Sequence, residues 1–572
     1  MKLYIKIAFM LLVSLLINIS CTDDFAELNT PNDLITSDVI NLDFLFTRVL
    51  AESIVHSEEN GMGTTGNYCG MSYSGANAPF VSGDNSGVWN RTYGDYSRNL
   101  SDIIYLASTR EDSEDLVNKK AAARIMKAWV FARTTDWYGN IPYSESSLDI
   151  TKAISTPKYD SQKDIYIDLF KELKEAVAEI DNSKASYGSA DILYGGDMDK
   201  WVKLANSLRL RLALRIRYAD ETLAATEMAD LTEANLITSR SDDAKLYTRS
   251  EFTDQLNDQY SSLLQTKSNL AKRKPPKTFI DILKDSNDPR LKVFADTAKA
   301  SFPGTPGYES IDFFGYRGTP LLGSAPVQQK YPYGDQTTSD WSDILYTPTQ
   351  ELPIFNASET YFALAEAALF GLKGNTSDAQ GYFEKGIRLA QERVLEMYEG
   401  AKSELPEVES LFLAQGGGES DAAYLARVDA HVESLLESHK ITQTEIDDFI
   451  ANAAVVTLSG SLEEQLEQII NQKMIALFPQ ESEGWAEWRR TGYPRILVGD
   501  DNSALAGTIP RRMPWPTSEQ TINGEQYQAA LEAIGGDGKN TRLTKVWWDQ
   551  NTNRPQHPGT VEWMEQPWVQ TN

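Results

Sequence analysis

The sequence predicts a mainly α fold in which a helical scaffold carries a large loop-rich, irregular half. Three observations predict it. Several long segments place apolar residues three and four apart, the spacing of amphipathic helices. Between them lie stretches dense in glycine, proline and aromatic residues. Strand patterns are short and scattered.

The clearest helix runs from Val117 to Trp137, with Ala121, Ile125, Ala128, Trp129 and Ala132 on one side and Ser113 placed as an N-cap. Further helical periods cover about Ile165–Ile180, Trp201–Tyr218, Glu359–Leu372, Ala379–Tyr398 and Leu462–Phe478. The last opens on Ser461 and Glu464, the spacing of a capping box. A short Gly-Asn-Thr-Ser turn joins Glu359–Leu372 to Ala379–Tyr398, which makes them an αα-hairpin. Setting Ala367 at the small-residue position of a tetratricopeptide unit puts Phe370, Ala379 and Phe383 on its Tyr, Ala and Phe positions. Small residues there let two helices approach, and an aromatic fills the space beyond. No clean repeat recurs elsewhere.

Two stretches read as functional loops, because long loops inside a compact chain usually serve a site. Gly61 to Tyr96 holds eight glycines and six aromatics; Ser301 to Tyr346 holds six glycines, five prolines and nine aromatics. Trp485 to Asn572 carries seven of the twelve tryptophans and is expected to be irregular and packed on the helices. The expected plan is a signal segment over 1–20 and one domain over 21–572. Its scaffold lies at about 44–235 and 356–480, with loop-rich parts at about 61–96, 240–350 and 485–572.

Composition excludes several classes. The 572 residues include 54 Lys+Arg and 82 Asp+Glu, a formal charge of −28, with 41% apolar and 24% charged residues. That is ordinary globular composition. The acidity argues against nucleic acid, whose phosphates are held by clustered Lys and Arg, and against an anionic membrane surface. Lys2 and Lys6 precede a short apolar run from Ile5 to Ile17, then Ser20-Cys21 and the acidic Asp23-Asp24. A basic start, a short apolar core and small residues before a cut describe an export signal, too short for a comfortable membrane span. Cys21 at this place resembles the acylated first residue of a bacterial lipoprotein; the alternative is an ordinary signal cut nearby with Cys21 incidental. Loss of residues 1–20 removes two lysines and no acid, taking the charge to −30. Cys21 and Cys69 are the two cysteines, so a lipid on Cys21 leaves Cys69 without a disulfide partner.

Several blocks carry a family likeness. They are Ala121 to Tyr143, ending Thr-Asp-Trp-Tyr-Gly-Asn-Ile-Pro-Tyr; Gly196 to Ile216, with its Leu-Arg-Leu-Arg-Leu-Ala-Leu-Arg run; and Gln472 to Pro479 followed by Gly484-Trp-Ala-Glu-Trp-Arg-Arg-Thr-Gly-Tyr-Pro494. Asn356 to Ala367 and Asn523-Gly-Glu-Gln-Tyr527 add weaker matches. Together these resemble the SusD/RagB family of Bacteroidetes outer-membrane lipoproteins, in family order. The resemblance implies a SusD-like fold with tetratricopeptide-like helix pairs and a cell-surface position with a lipid anchor on Cys21. It also implies capture of a glycan for a partner SusC-like TonB-dependent transporter.

The residue chemistry suits a glycan. A sugar ring offers an apolar C–H face to a flat aromatic ring and a belt of hydroxyls to polar side chains. The expected ligand-binding residues are Tyr73, Phe80 and Trp89 in the first loop region and Tyr316, Arg317, Tyr331 and Trp341 in the second. Asn77, Asp84, Asn85, Gln328 and Asp340 stand near them as hydrogen-bonding groups. Any one of these aromatics has packing under the loops as its competing role. Trp129, Trp137, Tyr138, Trp485 and Trp488 read as core. Arg209, Arg211, Arg215, Arg217, Arg489 and Arg490 read as ion-pair formers.

Catalytic signatures are absent: no zinc-protease His-Glu-x-x-His, no serine elbow, no phosphate loop. His431 and His439 stand eight apart on one helix, too far for one metal, and read as exposed polar positions. Asp500-Asp-Asn502 and Asp537-Gly-Lys-Asn540 lack the full spacing of a calcium loop, so neither metal nor cofactor is expected. Three alternatives to glycan capture stand: a scaffold lipoprotein whose helical pairs bind a protein, a peptide-binding relative, and a two-carboxylate glycoside hydrolase.

Overall fold

A computed structural model describes residues 40–55, 69–71, 86–146, 154–247, 274–298, 315–320, 337–349, 351–496, 509–534 and 540–555. The chain divides into one unit up to Leu42 and a second from Asp43 onward, and the helical fold belongs to the second. Cys21, with the signal segment, lies outside the described residues, as does Asp500-Asp-Asn502.

The fold is mainly helical. Helix Val117–Tyr138 is its hub, packed against helices Ser97–Thr109, Gln162–Glu179 and Met198–Arg215. It is buried on nearly every side, and its polar residues Asn118, Thr134, Thr135 and Asp136 go inward with the apolar ones. A helix so enclosed must satisfy those groups internally. Asn118 donates to the carbonyls of Asp181 and Lys184, at 2.8 and 3.0 Å. Ser113 does not cap this helix: it opens the 3₁₀ turn Ser113–Asp115, and the cap position falls to Leu116, which has no side-chain acceptor. Ser161 and Asp197 do cap the two following helices, accepting from Asp164 N at 3.1 Å and from Asp199 N at 3.1 Å.

The expected αα-hairpin forms between Ala357–Leu369 and Ala379–Phe412. Ala367, Ala379 and Phe383 are buried between them as the tetratricopeptide register requires. Gly386 lets the helices close: a Cβ there would meet Cε1 of Phe362 at 2.9 Å. The second helix runs fourteen residues beyond Tyr398 and takes Pro406 in its stride. Val394, Tyr398, Ala401, Leu405 and Val408 continue one buried stripe across it. Burial of that stripe outweighs the hydrogen bond a proline forfeits. Helix Leu462–Leu477 packs on the hairpin and opens on the expected capping box: Ser461 Oγ accepts from Glu464 N at 3.3 Å, and Glu464 accepts from Ser461 N at 2.7 Å. Strands are confined, among the described residues, to two antiparallel pairs, Ile141–Pro142 with Tyr159–Asp160 and Ala244–Tyr247 with Glu351–Phe355.

The three arginines of the Leu-Arg-Leu-Arg-Leu-Ala-Leu-Arg run, and Arg217 just after it, are buried ion-pair formers. Arg209 meets Asp230 at 2.8 Å, Arg211 meets Glu359 at 2.6 Å, Arg215 meets Asp136 at 3.2 Å and Arg217 meets Glu366 at 2.8 Å. Glu366 is also held by Arg490, which reaches Glu487 at 2.7 Å, and Lys473 lies 3.3 Å from Glu487. Burial alone would raise the Glu366 and Glu487 pKa values, but Arg490 with Arg217 or Lys473 outweighs it and holds both carboxyls below their usual range. Arg489 is handled differently. It donates to the Asp136 and Arg511 carbonyls and stacks 3.7 Å over Trp485, and burial pushes its pKa down to about 9. These charges tie helices Val117–Tyr138, Met198–Arg215, Ala357–Leu369, Leu462–Leu477 and Glu481–Thr491 into one frame.

Candidate functional site

Short extended segments of the second loop region lie side by side on this frame. Lys277 N donates to Thr319 O at 2.8 Å, Ser339 N to Arg317 O at 2.7 Å, Asp296 N to Asp340 O at 2.9 Å, and Ala298 N to Gly315 O at 2.9 Å. Gly318 permits the approach, since a Cβ there would collide with the backbone of Pro276 and Lys277. The ladder sets Tyr316 and Arg317 on one segment and Asp340 on the segment beside it, a half-buried edge that forms a rim.

Tyr316 is half-buried. Burial first, and the nearby Asp296 carboxylate second, push its phenol pKa up, so the hydroxyl stays protonated. Arg317 is oriented by the 2.5 Å bond from its Nη1 to Thr337 O and by Ser339 Oγ, which accepts from its backbone N at 2.9 Å. Asp340 forms an ion pair with Lys274. Behind the rim, His439 is buried at 3% exposure, contrary to the exposed position expected of it. Its Nδ1 lies 2.5 Å from Lys292 O and its Nε2 3.1 Å from Asp296. Burial opposes its protonation, but Asp296 and the Lys292 carbonyl raise its pKa overall. His431 pairs with Glu409 at 3.3 Å instead, so the two histidines serve different neighbours. Among the described residues no group of His, Cys, Asp and Glu is arranged to hold a metal.

Trp341 is not at this rim. It is 1% exposed, with its ring 5.4 Å from Phe279 and 5.1 Å from Phe478. Successive residues of an extended segment face opposite ways: Asp340 goes to the surface side and Trp341 into the aromatic core. Its expected ligand role is corrected to packing.

Trp89 is also largely buried. The first loop region ends in the helical turns Gly87–Arg91 and Thr92–Tyr96, so Trp89 is helical and 5% exposed. Tyr93, Tyr138 and Tyr159 surround it, with ring centroids 4.8, 5.2 and 6.1 Å away. Its edge nonetheless borders a cleft of about 440 Å³, whose wall includes Tyr93, Pro157, Glu519, Ile522 and Asn523. Sequence reasoning did not single out Glu519 or Ile522; Asn523 stood only at the head of a weakly matching block. Tyr73, Asn77, Phe80, Asp84, Asn85, Gln328 and Tyr331 lie outside the described residues.

Cys69 is a buried thiol whose Sγ lies 3.7 Å from Glu481 O. Burial first, then Glu481, push its pKa well up, which suits packing rather than nucleophilic chemistry.

The described residues thus form a mainly helical frame with a tetratricopeptide-like hairpin. The chain belongs to the SusD-like family, the SusD and RagB outer membrane lipoproteins, whose model matches residues 27–549. Among solved structures, it is similar to a chitin-binding protein at 26% identity, covering 89% of this chain and 100% of that one, with a TM-score of 0.69. A chitin-binding SusD homolog from Flavobacterium johnsoniae is also 26% identical, over 89% and 98% of the two chains, with a TM-score of 0.61. A SusD homolog from Bacteroides uniformis is 25% identical over 90% and 100%, with a TM-score of 0.63. No curated protein sequence matches the chain. Among the described residues no helix is long and apolar enough to cross a membrane.

Proposed function

We propose that this protein is a cell-surface lipoprotein, anchored through lipid on Cys21, that captures a glycan and passes it to a SusC-like TonB-dependent transporter. The observation that carries the reading is the likeness to two chitin-binding proteins, each 26% identical across 89% of this chain. Chitin-type oligosaccharides are therefore the first ligands to test. Tyr316 and Arg317 supply the chemistry at the rim: a ring for the C–H face of a sugar and a planar donor for its hydroxyls.

The protein acts by binding and not by cleavage. A glycosidase needs one carboxylic acid that can protonate the leaving oxygen and a second carboxylate opposite it. At the rim Asp340 is paired with Lys274 and Asp296 with His439, so both carboxylates are engaged by basic side chains of the protein itself. The test is retention on a panel of insoluble polysaccharides including chitin, with reducing ends followed in the supernatant. Retention without new reducing ends is expected. Release of reducing ends overturns the binding-only reading, and no retention on any member favours a scaffold.

A further inference from the structure

We propose that the cleft beside Trp89 is a second sugar-binding site, one that holds a single N-acetylhexosamine unit; the inference rests on the glycan reading above. The cleft shares no residue with the Tyr316 rim, and its volume of about 440 Å³ falls in the range of small-ligand sites.

Its wall has a polar demand that the protein leaves unmet. Asn523 is 4% exposed. Its Nδ2 donates to Pro157 O at 2.9 Å, which fixes the amide orientation, because the oxygen cannot face a carbonyl. The Oδ1 is buried with no hydrogen-bond partner among the described residues. A buried acceptor in this state is satisfied by a water or by the N–H or O–H of a ligand that displaces it. One helical turn earlier Glu519 is 6% exposed, and Tyr159 Oη donates to its Oε2 at 2.8 Å. Among the described residues Oε1 has no side-chain donor, so the same wall offers a second acceptor. The ligand must therefore be rich in N–H or O–H groups.

The mouth has the opposite character. Ile522 and Ile154 border it at 63% and 42% exposure and give it an apolar lip. An acetamido group unites both requirements: an N–H for the Asn523 oxygen and a methyl for the isoleucines, while ring hydroxyls donate to Glu519. A plain hexose lacks the N–H and methyl, and glucosamine lacks the methyl.

The test is methyl NMR of the whole chain carrying Cys21→Ala and labelled at isoleucine δ1. Ile154 and Ile522 are assigned through Ile154→Val and Ile522→Val. Titration with N-acetylglucosamine is expected to move both signals saturably, with glucose and glucosamine at least tenfold weaker. Ser518→Trp, at an exposed position on the cleft, fills it and abolishes the shifts while retention on chitin changes less than twofold. If both methyls stay still while the protein is retained on chitin, the cleft site falls and the glycan reading stands. If glucose moves them equally, the acetamido assignment falls. If nothing is retained and nothing moves, both readings fall.

Discussion

Removing the Glu366 carboxylate tests the buried frame on which the loops rest. Glu366 is fully buried in the hairpin helix Ala357–Leu369 and accepts from Arg490 Nη2 at 2.7 Å, with Arg217 Nε 2.8 Å away. Glu366→Ala leaves Arg490 with Glu487 and takes away the carboxylate that faces Arg217. Breaking one side of a buried ion pair costs about 3–5 kcal/mol, because the remaining charge keeps its desolvation penalty. Unfolding entropy for a chain of this size is on the order of 1 kcal/mol/K, so the melting temperature should fall by about 3–5 °C. Glu366→Gln should lose nearly as much, since its amide turns a donor toward donors. The pH dependence has a definite sign. Glu366 and Glu487 have depressed pKa values in the folded state, so their contribution is complete above the ordinary glutamate value of 4.5 and lost as pH falls below it. The wild-type advantage over Glu366→Ala should shrink in acid. Differential scanning calorimetry between pH 4 and 8 measures both effects. A shift below 1 °C at pH 7, or an advantage that grows in acid, would refute the reasoning.

Other outcomes follow from packing. Trp341→Ala should cost about 3–5 kcal/mol, the usual range for emptying a buried aromatic site, and lower the melting temperature by a few degrees; an unchanged melt with weakened glycan binding would return Trp341 to the ligand. Gly386→Ala forces a methyl within 2.9 Å of Phe362. The helix-propensity gain of about 1 kcal/mol offsets part of an overpacking cost of about 1–3 kcal/mol, so a small net loss is expected, relieved in the double variant with Phe362→Leu. With Cys21→Ala, Cys69 should stay inert to an aromatic disulfide reagent until the chain unfolds, and prompt labelling would contradict its burial.

Much of the scaffold was legible because its signals are local. Ser461 and Glu464 sit three apart, and the Val117 helix needs only its own period. The same locality explains the misses. The helix expected over Ala379–Tyr398 runs on to Phe412 through Gly400 and Pro406, because the burial of Ala401 and Leu405 depends on partners outside its own period. Ser113 matched a cap residue type, but the 3₁₀ turn that displaced it depends on how the preceding loop enters. Composition put Trp341 and Asp340 in one candidate loop, yet the register of an extended segment decides which of two neighbours faces the core. His439 read as exposed because its partners, Lys292 and Asp296, are more than 140 residues away. The cleft draws on Trp89, Pro157 and Asn523, three segments that no spacing rule connects. Tyr316 and Arg317 were legible as residue types, whereas the bonds of Arg317 to Thr337 and Ser339 belong to the fold.

The central claim is that the protein captures a glycan and leaves it intact. Isothermal titration of chitohexaose into the protein and into Tyr316→Ala, with chromatography of the recovered sugar, tests it most directly. The account predicts saturable binding, affinity about tenfold lower in Tyr316→Ala at an unchanged melting temperature, and hexaose recovered whole. Equal affinity in both proteins would remove the rim from the site, and shortened products would contradict the account outright.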